Sequence, residues 1–264
     1  MTDTADDAIA PGDVRDAESD TGTDMYFYKT RIRYSEVGGD GRLTIVGLVN
    51  HLQDCATFHS EDTGFGLQWL MERHHGWFVT SYHIRMEDMP MMGEEVIVST
   101  FPVSVRGMIG ERHYTVTSAD GKHMYARAKS IWVYMDIAES KPSRIPDGMA
   151  EAYGKDEPPT DDDWGSRKIR QMEDREPVYD FTVSHLFIDS NHHMNNAYYI
   201  EAARKALPDD ATVNDIRIEY RSPAKLGDTV HVELAKDEDR SQVFLLSDDG
   251  TVYSVVEFNR AAGL

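Results

Sequence analysis

Between Tyr26 and Tyr34 the segment YFYKTRIRY alternates apolar and polar side chains, the pattern of a half-buried strand. The following VGLVNHLQDCATFHSEDTG puts Leu48, Leu52, Cys55 and Phe58 near helical spacing, so a helix is predicted there. Then come the strand-like segments GWFVTSYHIRM, EEVIVSTFPVSV, GERHYTVTSA and MYARAKSIWVYM, punctuated by Gly93, Gly110 and the ADGK turn. The first half therefore reads as one strand, one helix and a meander.

From Val178 the same order returns. VYDFTVS reads as a strand and MNNAYYIEAARKAL as a helix, followed by VNDIRIEYRS, DTVHVELAK, SQVFLLS and TVYSVVEFNR as strands. Details repeat as well. MEDMPMMGEEVIVS is answered by YRSPAKLGDTVHVE, and SADGKHMYARAKSIWVY by SDDGTVYSVVEF, with Gly at matching places. These matches imply a tandem duplication. The predicted units are a copy at 25–136, a linker at 137–176 with room for a short helix, and a second copy at 177–260.

A helix followed by a long antiparallel sheet buries its apolar stripe if the sheet curves around it. Leu48, Leu52 and Cys55 would form that stripe in one copy, Tyr199 and Ala203 in the other. Each sheet alone would leave an open edge, and pairing the copies edge to edge removes that liability. The predicted fold is α+β, an internal pseudo-dimer.

Composition narrows what such a molecule does. The chain of 264 residues is 40% hydrophobic, enough for a real core, and its formal charge of −20 repels phosphate backbones and anionic lipid. Nucleic acid is an unsuitable partner. Residues 1–24 carry eight acidic groups against the single Arg15 and read as a flexible acidic tail. Cys55 is the only cysteine, so no internal disulfide forms. Neither a secretory signal nor an apolar run long enough for a bilayer is seen, so the expected location is the cytoplasm, without membrane insertion.

The chemistry concentrates in FIDSNHHMNNAYYI, residues 187–200. Helix capping explains one of Asp189, Ser190, Asn191, Asn195 and Asn196, but not five polar groups beside two histidines. A zinc site lacks its donors, because adjacent His192 and His193 diverge and no HExxH or cysteine pair completes a set. The remaining reading is hydrolysis. A neutral His193 takes a proton from water, Asn191 positions the ring or the water, Asp189 supports the imidazolium, and the start of the helix favours a developing oxyanion. Aligning GGDGRLTIVGLVNHL of the first copy with this stretch sets Asn50 opposite Asn196 and Gly47 opposite His193. On that register the shared Asn is architectural and the unshared His functional.

IDSNHHMNNAYYI resembles the signature of the plant and bacterial acyl-ACP thioesterases. RYSEVGGDGRLTIVGLVNHLQDCA, GWFVTSYHIRM and YARAKSIWVYMDI with SRIP are similar to the first half of the same family, in the same order, over about residues 25–258. The resemblance implies two tandem hot-dog domains and cofactor-free hydrolysis of fatty acyl-ACP in fatty acid biosynthesis. It also implies that the first copy supplies the acyl pocket and the second the chemistry, with Asp189, Asn191 and His193 catalytic.

One departure stands out. Where the family commonly has a catalytic Glu, and Cys after it in plant members, this chain has Pro223 and Ala224. Proline holds no proton. Glu219, on the same strand face if that strand is regular, is the candidate substitute. Cys55 belongs to the helix core.

An acyl chain needs an apolar slot, for which Phe58, Phe65, Leu67, Trp69, Leu70, Met71, Trp77 and Phe78 are candidates, together with Met86, Met89, Met91 and Met92. Acyl carrier protein is acidic, so docking needs local cations. Arg106, Arg112, Lys122, Arg127 and Lys129, or Arg204, Lys205, Arg217 and Arg221, could provide them. Three other readings stay open at this stage: an acyl-CoA thioesterase, a hot-dog dehydratase, and a non-catalytic acyl-binding module.

Overall fold

The computed structural model describes residues 25–259, so the acidic tail expected at 1–24 lies outside the described residues. The first half contains β1 (Tyr26–Arg31), α1 (Ile45–Asp62), α2 (Leu67–Glu72), β2 (His75–Met86), β3 (Glu95–Arg106), β4 (Ile109–Ser118) and β5 (Met124–Asp136). The connecting segment carries β6 (Lys141–Pro142), which pairs with the end of β5, and α3 (Met149–Tyr153). The second half contains β7 (Glu176–Thr182), α4 (Asn196–Arg204), β8 (Asp215–Tyr220), β9 (Thr229–Lys236), β10 (Arg240–Leu246) and β11 (Val252–Asn259).

The long strands form one antiparallel sheet in the order β1-β3-β4-β5-β2-β8-β11-β10-β9-β7. Read outward from its centre, each half has the same strand order. The halves meet where β2 pairs with β8, with Ser81 opposite Glu219 and Ile84 opposite Ile216. This junction satisfies two ladders that would otherwise lie open. The architecture is a tandem hot-dog fold.

Alternation along the strands decides what each face touches. Val243 and Leu245 join the main core with Leu48, Leu52, Tyr199 and Ala203 of the helices, whereas Phe244 faces the other way and packs with Ile169 of the connecting segment. The helices α1 and α4 contact each other on one side of the sheet. The connecting segment crosses the opposite side, where Trp164 and His83 meet and the Trp164 carbonyl accepts from His83 Nδ1 at 3.1 Å.

The two copies share the turn that precedes each helix, bond for bond. Gly38 N–H donates to the Arg42 carbonyl at 2.9 Å, and Asp189 N–H to that of His193 at 2.9 Å. Gly41 N–H donates to Gly38 at 2.9 Å, and His192 N–H to Asp189 at 3.1 Å. Both Gly41 and His192 have positive φ, 76° and 61°. The helix caps are Thr44 and Asn195. This geometry corrects the sequence register: His193 corresponds to Arg42 rather than Gly47, and Asn196 to Ile45 rather than Asn50. Composition near the two helix starts is similar, and the turn's hydrogen bonds fix the register.

Candidate active site

The turn at 188–195 is built by its own backbone. Ile188 and Met194 form an antiparallel bridge, and Met194 N–H donates to the Ala224 carbonyl at 2.9 Å. Asp189 Oδ1 accepts from Asn191 N–H at 2.8 Å and His193 N–H at 3.4 Å. The carboxylate therefore holds the loop that carries the histidine. Asn195 caps α4, its side chain accepting from Ala197 N–H at 2.9 Å while its carbonyl accepts from Tyr198 N–H at 3.0 Å. The helix start keeps its favourable dipole, but these amides are occupied. Asn191, exposed on the turn, offers a side-chain amide instead.

His193 is half-buried, with the Phe78 ring 6.4 Å away between centroids. Burial holds its pKa below the usual 6.5. The Asp189 charge pulls the other way, and Lys225 and His192 add to the lowering. The imidazole is thus neutral at pH 7 and able to accept a proton.

Two cavities meet at this turn. One, of about 360 Å³, lies between α1, α2 and the strands of the first half, with Leu70, Trp77, Val105 and Trp132 among its walls. The other, of about 540 Å³, is lined by Phe78, Met135, His193, Pro223 and Lys225. Trp77, Ile137, Asp189, Asn191 and Asn196 border both. A substrate reaching from the first cavity into the second would cross the turn at Asp189 and Asn191, and His193 lines the second cavity.

The structure brings Asp189, Asn191 and His193 together and leaves Glu219 apart. Strand β8 points Ile216 and Ile218 into the core, so Asp215, Arg217 and Glu219 face the connecting segment. Glu219 accepts from the Ile169 N–H and, at 2.9 Å, from Arg221. The shared-face argument fails because β8 ends at Tyr220, before Pro223. Ala224 is fully buried, its N–H donating to Tyr199 Oη at 2.8 Å. Cys55 is fully buried too, its Sγ donating to the Val98 carbonyl at 3.4 Å, and burial raises its pKa. Neither position offers a nucleophile.

The apolar candidates divide. Leu67, Leu70, Met71 and Trp77 line the first cavity and Trp77 and Phe78 the second. Phe65 and Trp69 pack behind the first cavity, against the cluster of Leu70 and Tyr153. Met86 joins the main core, and Phe58, Met91 and Met92 are exposed. The cations are mostly committed within the chain. Arg127 pairs with Glu87 and Asp162, Lys129 with Glu111, and Arg217 with Glu257. Lys122 pairs with Asp120, and Arg204 donates to the carbonyls of Pro208, Asp209 and Ala211. Arg221 and Lys225 line the second cavity. Sequence reading missed Gln53, Trp132 and Tyr153. Tyr153 lies in the connecting segment, where no periodicity marks it.

Residues 23–153 match the model of the acyl-ACP thioesterase N-terminal domain, and residues 170–256 that of the C-terminal domain. The chain belongs to the acyl-ACP thioesterase family. It is 28% identical over 247 residues to the palmitoyl-acyl carrier protein thioesterase of Gossypium hirsutum, covering 86% of this chain and 57% of that one. With the Arabidopsis thaliana palmitoyl-acyl carrier protein thioesterase it shares 29% over 207 residues, 72% of this chain and 50% of that one. This family member thus spans about half the length of the curated relatives it matches. The solved acyl-ACP thioesterase of Bacteroides thetaiotaomicron superposes with a TM-score of 0.80 at 26% identity, covering 89% of this chain and 97% of that one. The 12:0-ACP thioesterase of Umbellularia californica, at 20% identity and a TM-score of 0.76 over 89% of this chain and 96% of that one, shares the fold.

Proposed function

We propose that this chain hydrolyses the thioester of a fatty acyl-ACP, releasing free fatty acid and the carrier thiol. The observation carrying this reading is a half-buried, neutral His193 lining one cavity, on a turn whose Asp189 and Asn191 also border a second cavity walled by aromatic and aliphatic side chains. Family membership and the palmitoyl-, dodecanoyl- and oleoyl-ACP activities in the relatives' names support it.

In this reaction His193 takes a proton from water as the water oxygen attacks the thioester carbonyl. The carbonyl electron pair moves to oxygen, where the Asn191 amide and the positive end of α4 stabilise it. Collapse of the tetrahedral adduct breaks the C–S bond, and the imidazolium returns its proton to the leaving sulfur. Asp189 fixes the turn and stabilises the transient positive charge. No protein nucleophile and no cofactor enters these steps. The first half supplies the acyl chamber and the second the catalytic turn.

Acyl-CoA is the second donor to consider, because intramolecular pairing of Arg127, Lys129 and Arg217 thins the basic surface that an acidic carrier protein would need. The site of action belongs to this proposal as well: the cytoplasm, although the named plant relatives are chloroplastic. Among the described residues no helix is long and apolar enough to cross a membrane.

The test is free-acid release from matched acyl-ACP and acyl-CoA panels, with kcat/KM for each donor, using the native chain and His193→Ala. Release from acyl-ACP that is lost in the variant is expected. No release from either donor, or an unchanged rate in the variant, would overturn the proposal.

A further inference from the structure

The first cavity is not a plain hydrocarbon slot. Its walls of Leu70, Trp77 and Trp132 are apolar, but α1 presents Asn50, Gln53, Thr57 and Ser60 along the other side. Gln53 marks the catalytic end, because its Oε1 accepts from Asn196 Nδ2 at 2.8 Å. Ser60 lies two turns further along α1, about 10 Å away.

Beside that remote end sits Arg112 of β4, only 7% exposed and part of the cavity lining. Its Nη1 donates to His59 Nδ1 at 2.9 Å and, at 3.5 Å, to Thr100 Oγ1. Its guanidinium carbon lies 4.9 Å from the centre of the Tyr153 ring. Because arginine only donates, His59 Nδ1 is the acceptor and the imidazole is neutral. Burial first and the Arg112 charge second lower its pKa to about 3. Among the described residues no carboxylate pairs with Arg112. Burying a guanidinium without a counter-charge is costly, and Arg112 borders the cavity.

The other polar groups at this end are already satisfied. Trp77 Nε1 donates to Tyr153 Oη at 3.2 Å, Tyr153 Oη to Ser60 Oγ at 3.1 Å, and Ser60 Oγ to the Ala56 carbonyl at 3.0 Å. Arg112 is therefore the group at this end with hydrogen-bonding capacity to spare. Asp54 also borders the cavity, but desolvation raises its pKa and weakens its competition for a cation.

We propose that Arg112 is a receptor for the far end of the acyl chain, selecting thioesters whose chain terminates in a carboxylate over those ending in a methyl group. An Arg fork binds a carboxylate through two parallel charge-assisted hydrogen bonds, and a methyl terminus leaves those donors unmet. The acyl segment between the two polar ends lies along Leu70, Trp77 and Trp132. This inference rests on the thioesterase reading for its substrate but has a binding test of its own.

The experiment measures Kd for ω-carboxyacyl-CoA and the methyl-terminated acyl-CoA of equal length on the full-length His193→Ala chain, across a series of lengths. In parallel it measures kcat/KM for both thioesters on the native chain. Binding at least about tenfold tighter for the carboxylate terminus is expected at one length, about 1.4 kcal/mol. Adding Arg112→Gln should abolish that preference and Arg112→Lys should keep part of it, with circular dichroism confirming folding; if Arg112→Gln does not fold, the Arg112→Lys comparison decides. Equal or weaker binding of the carboxylate-ended thioester at every length, or a preference unchanged in the folded Arg112 variants, overturns the receptor. Methyl-ended turnover without a binding preference leaves the hydrolase and sinks the receptor; the preference without turnover of either thioester does the reverse.

Discussion

Asn196, at the head of α4, donates through Nδ2 to Gln53 Oε1 of α1 at 2.8 Å, tying the second half of the molecule to the first. Gln53 stands one helical turn from Asn50, whose Oδ1 accepts from Gln53 Nε2 at 3.5 Å. Replacing Gln53 with Leu removes the cross-copy bond. The expected result is a stability loss of about 1 kcal/mol in urea titration and a several-fold fall in kcat/KM.

His193→Ala should lower kcat by about 10²- to 10⁴-fold while the thermal midpoint changes little, because the ring is only half-buried and lines the cavity. Steady-state kinetics with a melting curve checks both halves of the statement.

The pH profile follows from the sign of the His193 shift. In the proposed mechanism the neutral ring is the base, and burial holds its pKa below 6.5, so kcat/KM should be flat at neutral pH and fall on acidification through a midpoint under 6.5. Asp189 raises this pKa, so Asp189→Asn should move the midpoint still lower. A midpoint that stays put in the variant would refute the electrostatic role assigned to Asp189.

His59 links stability to acid. Its pKa is about 3 in the folded chain against 6.5 ordinarily, so the unfolded state binds the proton first. The stability this neutral ring contributes is fully present above 6.5 and is lost as pH falls toward 3, at up to about 1.4 kcal/mol per pH unit. Denaturant titrations across this range should show a shallower slope for His59→Gln, which keeps an acceptor for Arg112.

Glu219→Gln should leave kcat/KM within about threefold. The carboxylate lies on the sheet face covered by the connecting segment, holding the Ile169 N–H and Arg221. Weakening those bonds should cost about 1–2 kcal/mol of stability in the same titrations.

Much of the fold is legible in the sequence. Period-two and helical spacing revealed the repeated order of elements, and the alternation in IRIEY already encodes that Ile216 and Ile218 share a face opposite Glu219. Pro223 lies beyond the end of that strand at Tyr220, since a strand's end is fixed by pairing partners and not by composition. The register between copies failed for a related reason: Gly41 and His192 occupy the same left-handed position, yet they share no side-chain chemistry. Nothing in the sequence distinguishes Arg127, Lys129 and Arg217 from Arg221 and Arg112, and only their neighbours in the fold separate them.

The sequence by itself determined the duplicated order of elements and placed Asp189, Asn191 and His193 within one short turn, because local spacing sets secondary structure and keeps close neighbours close. The tertiary structure decided which groups share a cavity. It set α1 of the first copy against the turn of the second, turned Glu219 away, and buried Arg112 with no paired carboxylate among the described residues, since such meetings depend on sheet closure between residues far apart in the chain.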